Sequence, residues 1–339
     1  MNSKPLISII IPVFNRASII SETLDSIINQ TYENWECIIV DDGSVDNFKQ
    51  IINKYKDLDA RFIFVKRPAN KLRGGNAARN YGLKLSKGAY VNWFDSDDIM
   101  LPNFLSDKIK VLLLNKDYDF CACLGASFLN SIDNIIEVYR PLVINSTNYI
   151  EDYLLNGLSF FTPSPLWKKD FLIKHNLLFN ENLKRSQEKE FHLRVLGKSP
   201  NYFYLEKPLF LIRLSTNGGI TTNFKSNHRL QMSDMIYFDI AYKTVKSSKI
   251  KNKVNIYKYL FYRQSVNFYN ILIIKGLGFK KRYSFSVKEI KKLYSYFRSS
   301  QVSYKYFLKI IFGTFLVLFI KKGYKCFYYP EFNYRSYKD

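Results

Sequence analysis

The segment YVNWFDSDDIM, residues 90–100, places three carboxylates within four positions directly after a run of strand-forming residues. Tyr90 to Phe94 are mostly aromatic or β-branched, which predicts a buried β-strand. Asp95, Asp97 and Asp98 follow at the carboxyl end of that strand. Such a cluster is either a solvated turn or a site for something positively charged, and the surrounding sequence has to separate the two.

The segments before it alternate between strand and helix patterns. Three apolar runs are typical of strands covered on both faces: LISIIIPVFN (6–15), ECIIVDDGS (36–44) and RFIFVKR (61–67). Between them, IISETLDSIINQ keeps helical spacing, and Ser18 is placed to cap that helix. This alternation predicts an α/β fold with a largely parallel sheet.

Later segments make the predicted sheet mixed. FCACLGASFL (120–129) and NIIEVYR (134–140) have the pattern of an antiparallel pair. From about residue 227 onward the signals are helical. The four cysteines lack the spacing of a zinc site, so we expect buried free thiols in a reducing cytosol. The apolar start of the chain has strand character and no cleavage site, so no secretory signal is expected.

The positive charge is concentrated near the end of the chain. The whole sequence has a formal net charge of +22, and residues 241–339 contain 22 Lys and Arg against 3 Asp and Glu, a balance of +19. The rest of the chain is nearly neutral. This asymmetry predicts an anionic partner for the C-terminal part.

Three polar clusters fall at predicted carboxyl ends of strands, where open α/β sheets bind their ligands. They are Pro12–Asn15, Asp41–Ser44 and Asp95–Asp98. Carboxylates held close together repel one another unless a cation compensates. Oxygen ligands combined with substrate phosphates favour Mg²⁺ or Mn²⁺. The pattern therefore predicts a divalent ion and a phosphorylated ligand at this edge.

A glycine pair adds a second phosphate signal. Gly74 and Gly75 open a short predicted helix, whose free backbone N–H groups favour phosphate. Arg73 and Arg79 can add charge-assisted contacts, although Arg79 can equally brace the acidic cluster. No G-x-G-x-x-G follows the first strand and no G-x-x-x-x-G-K-[ST] is present, which argues against a dinucleotide oxidoreductase and a P-loop enzyme.

Taken in order, several segments resemble the pattern of glycosyltransferase family 2 over roughly the first 225 residues. They are SIIIPVFNR, QTYENWECIIVDDGSVD, NAARNYGL, GAYVNWFDSDD and LPNFL. The resemblance implies a GT-A fold, in which a mixed, mostly parallel sheet is flanked by helices, with a C-terminal helical extension here. It also implies inverting transfer of a sugar from a nucleotide-diphosphate sugar, with UDP as the expected nucleotide.

The resemblance also implies roles for individual residues. Asp42 is expected to bind the base, the loop around Pro12 and Phe14 the nucleoside, and Asp95 the ribose or sugar. Asp97 matches the metal-binding last Asp of the D-x-D motif, with Mn²⁺ or Mg²⁺ as cofactor. The full set expected to bind the nucleotide-sugar is Pro12, Phe14, Asn15, Asp42, Gly43, Gly75, Asn76, Arg79, Asp95, Ser96 and Arg213.

The catalytic base is expected on a later helix. FNENLKRSQEKEFHLRVLG is similar to the family segment in which an acidic–Asp pair opens a helix, and here the pair is Gln187-Glu188. Glu188 therefore takes the base position, although an acid in a first helical turn also complements the helix dipole. Glu190 is expected to pair with Arg194 four residues on.

A second departure from the family pattern follows in LFLIRLSTNGGIT. The family often has Tyr-Arg-x-His at this point, and this chain keeps Arg213 but has Ser215 at the histidine position. The Gln187 and Ser215 departures leave an inactive family-2-like scaffold as an alternative. A processive synthase is disfavoured, because neither a multi-span membrane region nor a Gln-x-x-Arg-Trp motif is present.

These features predict a domain order and a set of partners. Residues 1–115 form the nucleotide-sugar-binding half, 116–226 the acceptor-binding half, and 227–339 a basic, aromatic helical extension. The expected acceptor is a glycan or a polyprenyl-linked oligosaccharide in cell-surface polysaccharide synthesis. A nucleic-acid-binding protein using the basic arm is the rival class, but it leaves the acidic sheet edge unexplained, so nucleic acid is not the expected partner.

The extension is expected to dock on the anionic inner face of the cell membrane. Its longest uncharged run, Ile310–Ile320, has 11 residues, well short of the ~20 needed to span a bilayer. An interfacial position with lysines reaching the lipid headgroups is therefore predicted. The alternative is that Phe312 to Phe319 packs as an ordinary core helix.

Overall fold

The computed structural model describes residues 4–144, 146–214, 228–274 and 278–329, and it forms two compact units. The first, here called the sheet unit, comprises Met1–Asn145, Ser159–Asn182 and Lys198–Thr216. The second, the helical unit, comprises Ser146–Leu158, Leu183–Gly197 and Asn217–Asp339. The helical unit thus takes two segments from within the first 226 residues, whereas the division into 1–115, 116–226 and 227–339 by function stays a prediction.

All strands that the structure describes belong to the sheet unit. In chain order they are β1 (Ile7–Val13), β2 (Trp35–Asp41), β3 (Phe62–Lys66), β4 (Tyr90–Trp93), β5 (Ile99–Met100), β6 (Phe120–Leu129), β7 (Ser131–Tyr139), β8 (Leu166–Lys168) and β9 (Tyr202–Arg213). The helices are α1 (Ile20–Ile28), α2 (Phe48–Leu58), α3 (Gly75–Leu85), α4 (Phe104–Leu114), α5 (Tyr149–Glu151), α6 (Lys169–Lys174), α7 (Gln187–Leu196), α8 (His228–Ser247), α9 (Val254–Leu272), α10 (Phe279–Ser300) and α11 (Tyr304–Ile320).

The described strands form one mixed sheet in the order β3-β2-β1-β4-β8-β6-β9-β5, with β7 paired to β6. Strands β1 to β4 pair with one another in parallel, in the order β3-β2-β1-β4. Strand β8 pairs antiparallel with both β4 and β6. The predicted antiparallel pair of β6 and β7 is confirmed. The mixed α/β fold with helices on the sheet is therefore the one expected from the sequence.

Buried apolar side chains explain why these segments form strands and helices. Strand β1 is buried along almost its whole length, and Leu24 and Ile27 of α1 pack into the same core. Cys37, Cys121 and Cys123 are buried free thiols, as predicted, whereas Cys326 is a free thiol that is only half-buried, so the prediction of burial is wrong for that residue. Gly88, before β4, is required by close packing, because an added Cβ would lie 2.6 Å from Ser8 Oγ and 2.7 Å from the Leu6 carbonyl oxygen.

The predicted cap of α1 by Ser18 is wrong. The helix begins at Ile20, and no side chain caps it. A main-chain turn takes that role, since the N–H groups of Ile19 and Ile20 both donate to the Arg16 carbonyl oxygen, at 3.1 and 3.0 Å. Ala17 donates its own N–H to Asp46 Oδ2 at 2.8 Å. The loop before α1 is therefore held by the loop after β2 and not by Ser18.

The helical unit has a separate apolar core. Its largest helices, α8 to α11, contribute Phe238, Phe261, Leu293 and Ile310, and Leu193 of α7 lies in the same cluster. The short segment around α5 contributes Leu154. None of the described helices is both long enough and apolar enough to cross a lipid bilayer.

A buried lysine lies inside the sheet unit. Lys108 on α4 has no solvent exposure, donates from Nζ to the Ser164 carbonyl oxygen at 3.1 Å, and lies over the Phe104 ring with Nζ 3.1 Å from its centroid. Burial lowers the pKa of this ammonium from 10.5 to about 8, although Cys123 and Cys121 act in the opposite direction. Keeping the charged ammonium in the core therefore lowers the free energy of unfolding.

We predict that Lys108→Met removes a rise in stability between pH 8 and pH 10.5. In that interval the folded protein has lost this proton and the unfolded chain keeps it, so the free energy of unfolding rises with pH. The contribution is on the order of 3 kcal/mol. Denaturant unfolding of wild type and variant at pH 7, 9 and 10 measures it as a difference.

Lys110→Met is the matched control, because Lys110 is exposed on the same helix. It is expected to keep the wild-type pH dependence. Parallel pH profiles for wild type and Lys108→Met would contradict the assignment of this pKa to Lys108.

Candidate active site

The register of three parallel strands brings the predicted polar clusters to one edge of the sheet. Val13 at the end of β1 lies beside Asp41 at the end of β2, and Ile10 lies beside Trp93 of β4. The Asp42 N–H donates to the Val13 carbonyl oxygen at 2.8 Å, which continues this pairing past the strand ends. The prediction that these clusters share an edge is confirmed.

The loop after β1 is tied to the loop after β2. The Asn15 main-chain N–H donates to Ser44 Oγ at 3.0 Å, and Asn15 Oδ1 accepts the Val45 N–H at 2.9 Å. Pro12 is half-buried at the end of β1, whereas the Phe14 side chain is 44% exposed. The guanidinium carbon of Arg73 lies 5.5 Å from the centre of the Phe14 ring. This loop therefore presents an aromatic face beside a positive charge.

The Asp-Asp-Gly-Ser segment is a turn with a buried ion pair. Asp41 Oδ1 accepts the N–H groups of Gly43 and Ser44, at 3.2 and 2.8 Å, and Gly43 has a φ of +95°, where glycine is favoured. Asp42 pairs with Arg67 through Nε, and both side chains are at most 10% exposed. Sequence reasoning missed Arg67, although it directly follows β3 and so falls at the same edge.

Helix α3 supplies the arginine beside the second acidic cluster. Arg79 Nη2 lies 2.6 Å from Asp95 Oδ1, so of the two readings of Arg79 the structure shows the brace. Gly75 leaves room for it, since an added Cβ would lie 3.1 Å from Arg79 Nη1. Asn76, predicted to bind the donor, donates from Nδ2 to the Asn180 carbonyl oxygen at 2.7 Å. It therefore also anchors the segment that follows α6.

The cluster after β4 is partly buried and holds three carboxyl groups within four positions. Ser96 and Asp98 are buried, and the side chains of Asp95 and Asp97 keep about a third of their exposure. Burial raises the pKa of Asp98 well above its ordinary value, and the charges of Asp95 and Asp97 raise it further. Burial and Asp95 also raise the pKa of Asp97, while Arg16 opposes this shift from a distance of 3.6 Å between Nε and Oδ2. Such a site favours an added cation.

Arg213 at the end of β9 is bound to this cluster. Its main-chain N–H donates to Asp98 Oδ1 at 3.2 Å, and its Nε donates to the Asp97 carbonyl oxygen at 3.1 Å. Its Nη2 also lies 2.8 Å from Glu22 Oε2. Arg213 therefore positions the acidic loop, whatever else it contacts. Ser215 lies outside the described residues.

The donor set at this edge fits a hard divalent ion held together with a ligand. Across the described parts of the chain, no group of three or more His, Cys, Asp or Glu side chains is arranged to hold a metal ion. Mg²⁺ commonly uses only one or two carboxylates and completes its shell with phosphates and water. Asp97, with its side chain 36% exposed and its charged form destabilised by burial and by Asp95, fits that requirement.

Glu188 lies in the helical unit, in the first turn of α7, and is half-buried. The turn before it is fixed to α8, since Ser186 Oγ donates to Asp234 Oδ1 at 2.7 Å and Arg185 Nη1 lies 3.3 Å from Asp234 Oδ2. Glu190 is buried and pairs with Arg194 at 2.5 Å, which confirms the predicted i,i+4 pair. The structure thus separates the two acids, because Glu190 is engaged in the core and Glu188 is more accessible.

Sequence comparison identifies the family. The profile of Glycosyl transferase family 2 matches residues 8–154. An uncharacterized glycosyltransferase of Rickettsia typhi is 30% identical over 264 residues, which cover 76% of this chain and 78% of that protein. The poly(ribitol-phosphate) beta-glucosyltransferase of Bacillus spizizenii is 31% identical over 213 residues, 59% of this chain and 32% of its own length.

Solved structures share the fold. Residues 1–349 of Staphylococcus aureus TarS, solved in complex with UDP-GlcNAc, superpose with a TM-score of 0.67 at 18% identity, covering 90% of this chain and 86% of that one. A mannosyltransferase of Pyrobaculum calidifontis, solved with GDP-Man and Mn²⁺, gives a TM-score of 0.54 at 13% identity, covering 96% and 86%. The fold is the GT-A type that the sequence resemblance implied. The chain belongs to glycosyltransferase family 2.

Proposed function

We propose that this protein transfers a sugar, with inversion, from a nucleotide-diphosphate sugar to a hydroxyl group of a cell-surface glycan or lipid-linked oligosaccharide. Family membership supplies glycosyl transfer as the reaction class. The proposal of a nucleotide-diphosphate sugar as donor rests on the cluster of aspartates at the carboxyl ends of β2 and β4. Such a cluster suits a divalent ion that is bound together with a diphosphate. UDP is proposed as the nucleotide, and TarS, with the same fold, was solved with UDP-GlcNAc.

The base and nucleoside are proposed to bind between the loop after β1 and the loop after β2. Phe14 offers an exposed ring for stacking, with Pro12 and Asn15 shaping the loop that carries it. Asp42 would recognise the base, in an orientation fixed by its pair with Arg67. Gly43, with no side chain, lets a ligand approach the backbone closely. Gly75, Asn76 and Arg79 would complete the donor side from α3.

Asp97 is the residue proposed to hold Mn²⁺ or Mg²⁺, with Asp95 and Ser96 toward the ribose or sugar. When bound, the ion supplies Lewis-acid stabilisation of the departing diphosphate. Arg16 is the arginine best placed to change partners, since its pair with Asp97 is long and both side chains are more than a third exposed. Arg213 holds the Asp97 backbone in place and would add positive charge near the diphosphate.

Glu188 is proposed as the general base. It would accept the proton of the acceptor hydroxyl while that oxygen attacks the anomeric carbon in a single displacement, the route that gives inversion. Its helix begins at a turn in which Ser186 Oγ donates to Asp234, and this contact fixes the position of the first helical turn. Glu190 is less suited to this task, because it is buried and held by Arg194.

The acceptor is proposed to be part of a cell-surface polymer pathway. The Bacillus spizizenii relative is named for action on poly(ribitol-phosphate), an anionic polymer. A strongly basic chain suits an anionic acceptor or a polyprenyl-linked one at a membrane surface. We propose a location on the inner face of the cell membrane for this reason.

We predict that Asp97→Asn abolishes the gain in UDP affinity that Mn²⁺ gives to the wild type. The amide keeps the shape of the side chain but removes the charged oxygen that the ion needs. Titration calorimetry with UDP, with and without Mn²⁺, measures the gain. A nucleotide at about 100 times its Kd should also raise the stability of the wild type by about 2.7 kcal/mol, which a thermal-shift screen of nucleotide-sugars detects.

Asp57→Asn, an exposed position on α2, serves as the matched control and should keep the full Mn²⁺ effect. If Asp97→Asn also keeps it, the ion is not held by Asp97.

We predict that Glu188→Gln keeps donor affinity and lowers kcat by on the order of 10²- to 10⁴-fold, as expected when a general base is removed. UDP release with a cell-envelope glycan fraction as acceptor measures turnover, and calorimetry measures donor binding. Glu206→Gln, exposed on β9, should retain wild-type turnover. Near-normal kcat in Glu188→Gln would place the base elsewhere, with Glu190 and Glu181 next to be tested.

A further inference from the structure

Helix α11 is apolar on two opposite faces, and the other described residues of the chain cover only one of them. Residues spaced three or four apart on the inner face are buried in the core of the helical unit: Phe307, Ile310, Gly313, Thr314 and Val317. The outer face has the same spacing, and its side chains are 39 to 59% exposed: Tyr304, Leu308, Ile311, Phe312, Phe315, Phe319 and Ile320. Core packing therefore accounts for one face of the helix and leaves the other unexplained.

The beginning of α10 extends this outer face. The rings of Phe279 and Phe319 are 5.6 Å apart, and Phe279 stacks on Tyr283 at 6.3 Å. Phe315 and Phe319 are 4.5 Å apart on α11. Together with Phe312 these five residues form an exposed cluster from two helices, here called the aromatic patch, and each is more than half exposed. Contiguous exposure of large apolar side chains marks an interaction surface.

The sequence around the aromatic patch is basic. Exposed lysines come directly after Phe279, alternate with the outer face of α11, and follow its last residue: Lys280, Lys281, Lys305, Lys309, Lys321 and Lys322. Between residues 241 and 330 the one acidic residue is Glu289, which is 2% exposed and lies 3.4 Å from Lys292 Nζ. A partner of this surface must therefore be apolar at its centre and negatively charged around it.

We infer that the aromatic patch docks on an anionic phospholipid bilayer, with α11 lying along the interface. Aromatic and aliphatic side chains of an in-plane helix enter the boundary between headgroups and acyl chains, while flanking lysines reach up to the headgroups. Basic residues near an anionic leaflet each strengthen binding. The 17 residues of α11 correspond to about 25 Å of helix, enough to present the whole outer face to a flat surface.

This surface is independent of the proposed transferase chemistry. The patch belongs to the helical unit, whereas the acidic edge belongs to the sheet unit. UDP binding reports on the acidic edge, and vesicle binding reports on the patch. Failure of one therefore does not imply failure of the other.

The test is co-sedimentation of the full chain with phosphatidylcholine vesicles that contain or lack phosphatidylglycerol. Binding is expected only with phosphatidylglycerol and should weaken as salt rises. Lys321→Glu combined with Lys322→Glu should lower the partition coefficient by at least about tenfold. Phe315→Ser combined with Phe319→Ser should lower it by at least as much, since both side chains leave the apolar part of the interface.

Matched pairs on the sheet unit control for charge and hydrophobicity. Lys54→Glu with Lys56→Glu reverses two exposed charges on α2, and Leu113→Ser with Leu114→Ser removes two exposed apolar side chains at the end of α4. Both pairs are expected to bind vesicles like the wild type. Thermal unfolding of all variants checks folding, which deletion of residues 303–339 would confound because Phe307 and Ile310 belong to the core.

Several outcomes overturn the inference. The inference is wrong if the protein stays in the supernatant with phosphatidylglycerol vesicles at low salt, or if the patch variants bind as the wild type does. Binding of single-stranded oligonucleotides without binding of vesicles would assign the surface to nucleic acid. A dimer that the Phe315 and Phe319 substitutions dissociate, with no vesicle binding, would assign it to a second copy of the chain.

Discussion

The need to compensate the carboxylates at the carboxyl ends of β2 and β4 constrains much of the sheet unit, because a cation or a hydrogen-bond donor has to reach each of them. The compensating groups come from different elements: Arg67 after β3 for Asp42, Arg79 of α3 for Asp95, Arg16 after β1 for Asp97, and the main-chain N–H of Arg213 on β9 for Asp98. The positions of β3, α3 and β9 relative to β1 are thus tied to the balance of charge at one edge.

These pairs differ in how firmly they are held. Arg67 with Asp42 is almost fully buried, and breaking such a pair leaves an uncompensated charge in the core. Arg16 with Asp97 is longer, at 3.6 Å, and solvent reaches both partners. A buried pair fixes geometry, whereas an exposed one contributes little to stability and can be exchanged for a ligand at small cost. This edge of the sheet therefore combines one rigid, buried ion pair with one exposed pair whose arginine can change partners.

The sequence predicted which strand ends meet at the edge of the sheet, but it predicted few of the ion pairs that form there. Apolar runs defined β1, β2 and β4, and because parallel strands share their carboxyl edge, the acidic clusters had to meet there. Of the arginines that pair with these clusters, Arg79 was anticipated as a brace, whereas the pairs of Arg67 with Asp42 and of Arg16 with Asp97 depend on tertiary packing that periodicity does not show. Ser18 failed as a cap because a main-chain turn from Arg16 took its place. The contact of Phe279 with Phe319 is likewise invisible to periodicity, although the short apolar run of α11 was read correctly as too short to span a bilayer.

The helical unit is assembled from three separated stretches of chain, and this has a consequence for synthesis. A ribosome delivers Ser146–Leu158 and Leu183–Gly197 well before α8 to α11 emerge. Until then Ile150, Leu154, Leu155 and Leu193 have no apolar partners from those helices, although the sheet unit is already complete at residue 216. The nascent chain thus exposes aggregation-prone apolar segments while the sheet unit can already be folded. We expect chaperones that bind exposed hydrophobic segments to bind such a chain. Its yield on expression should depend on these chaperones more than on the stability of the folded protein.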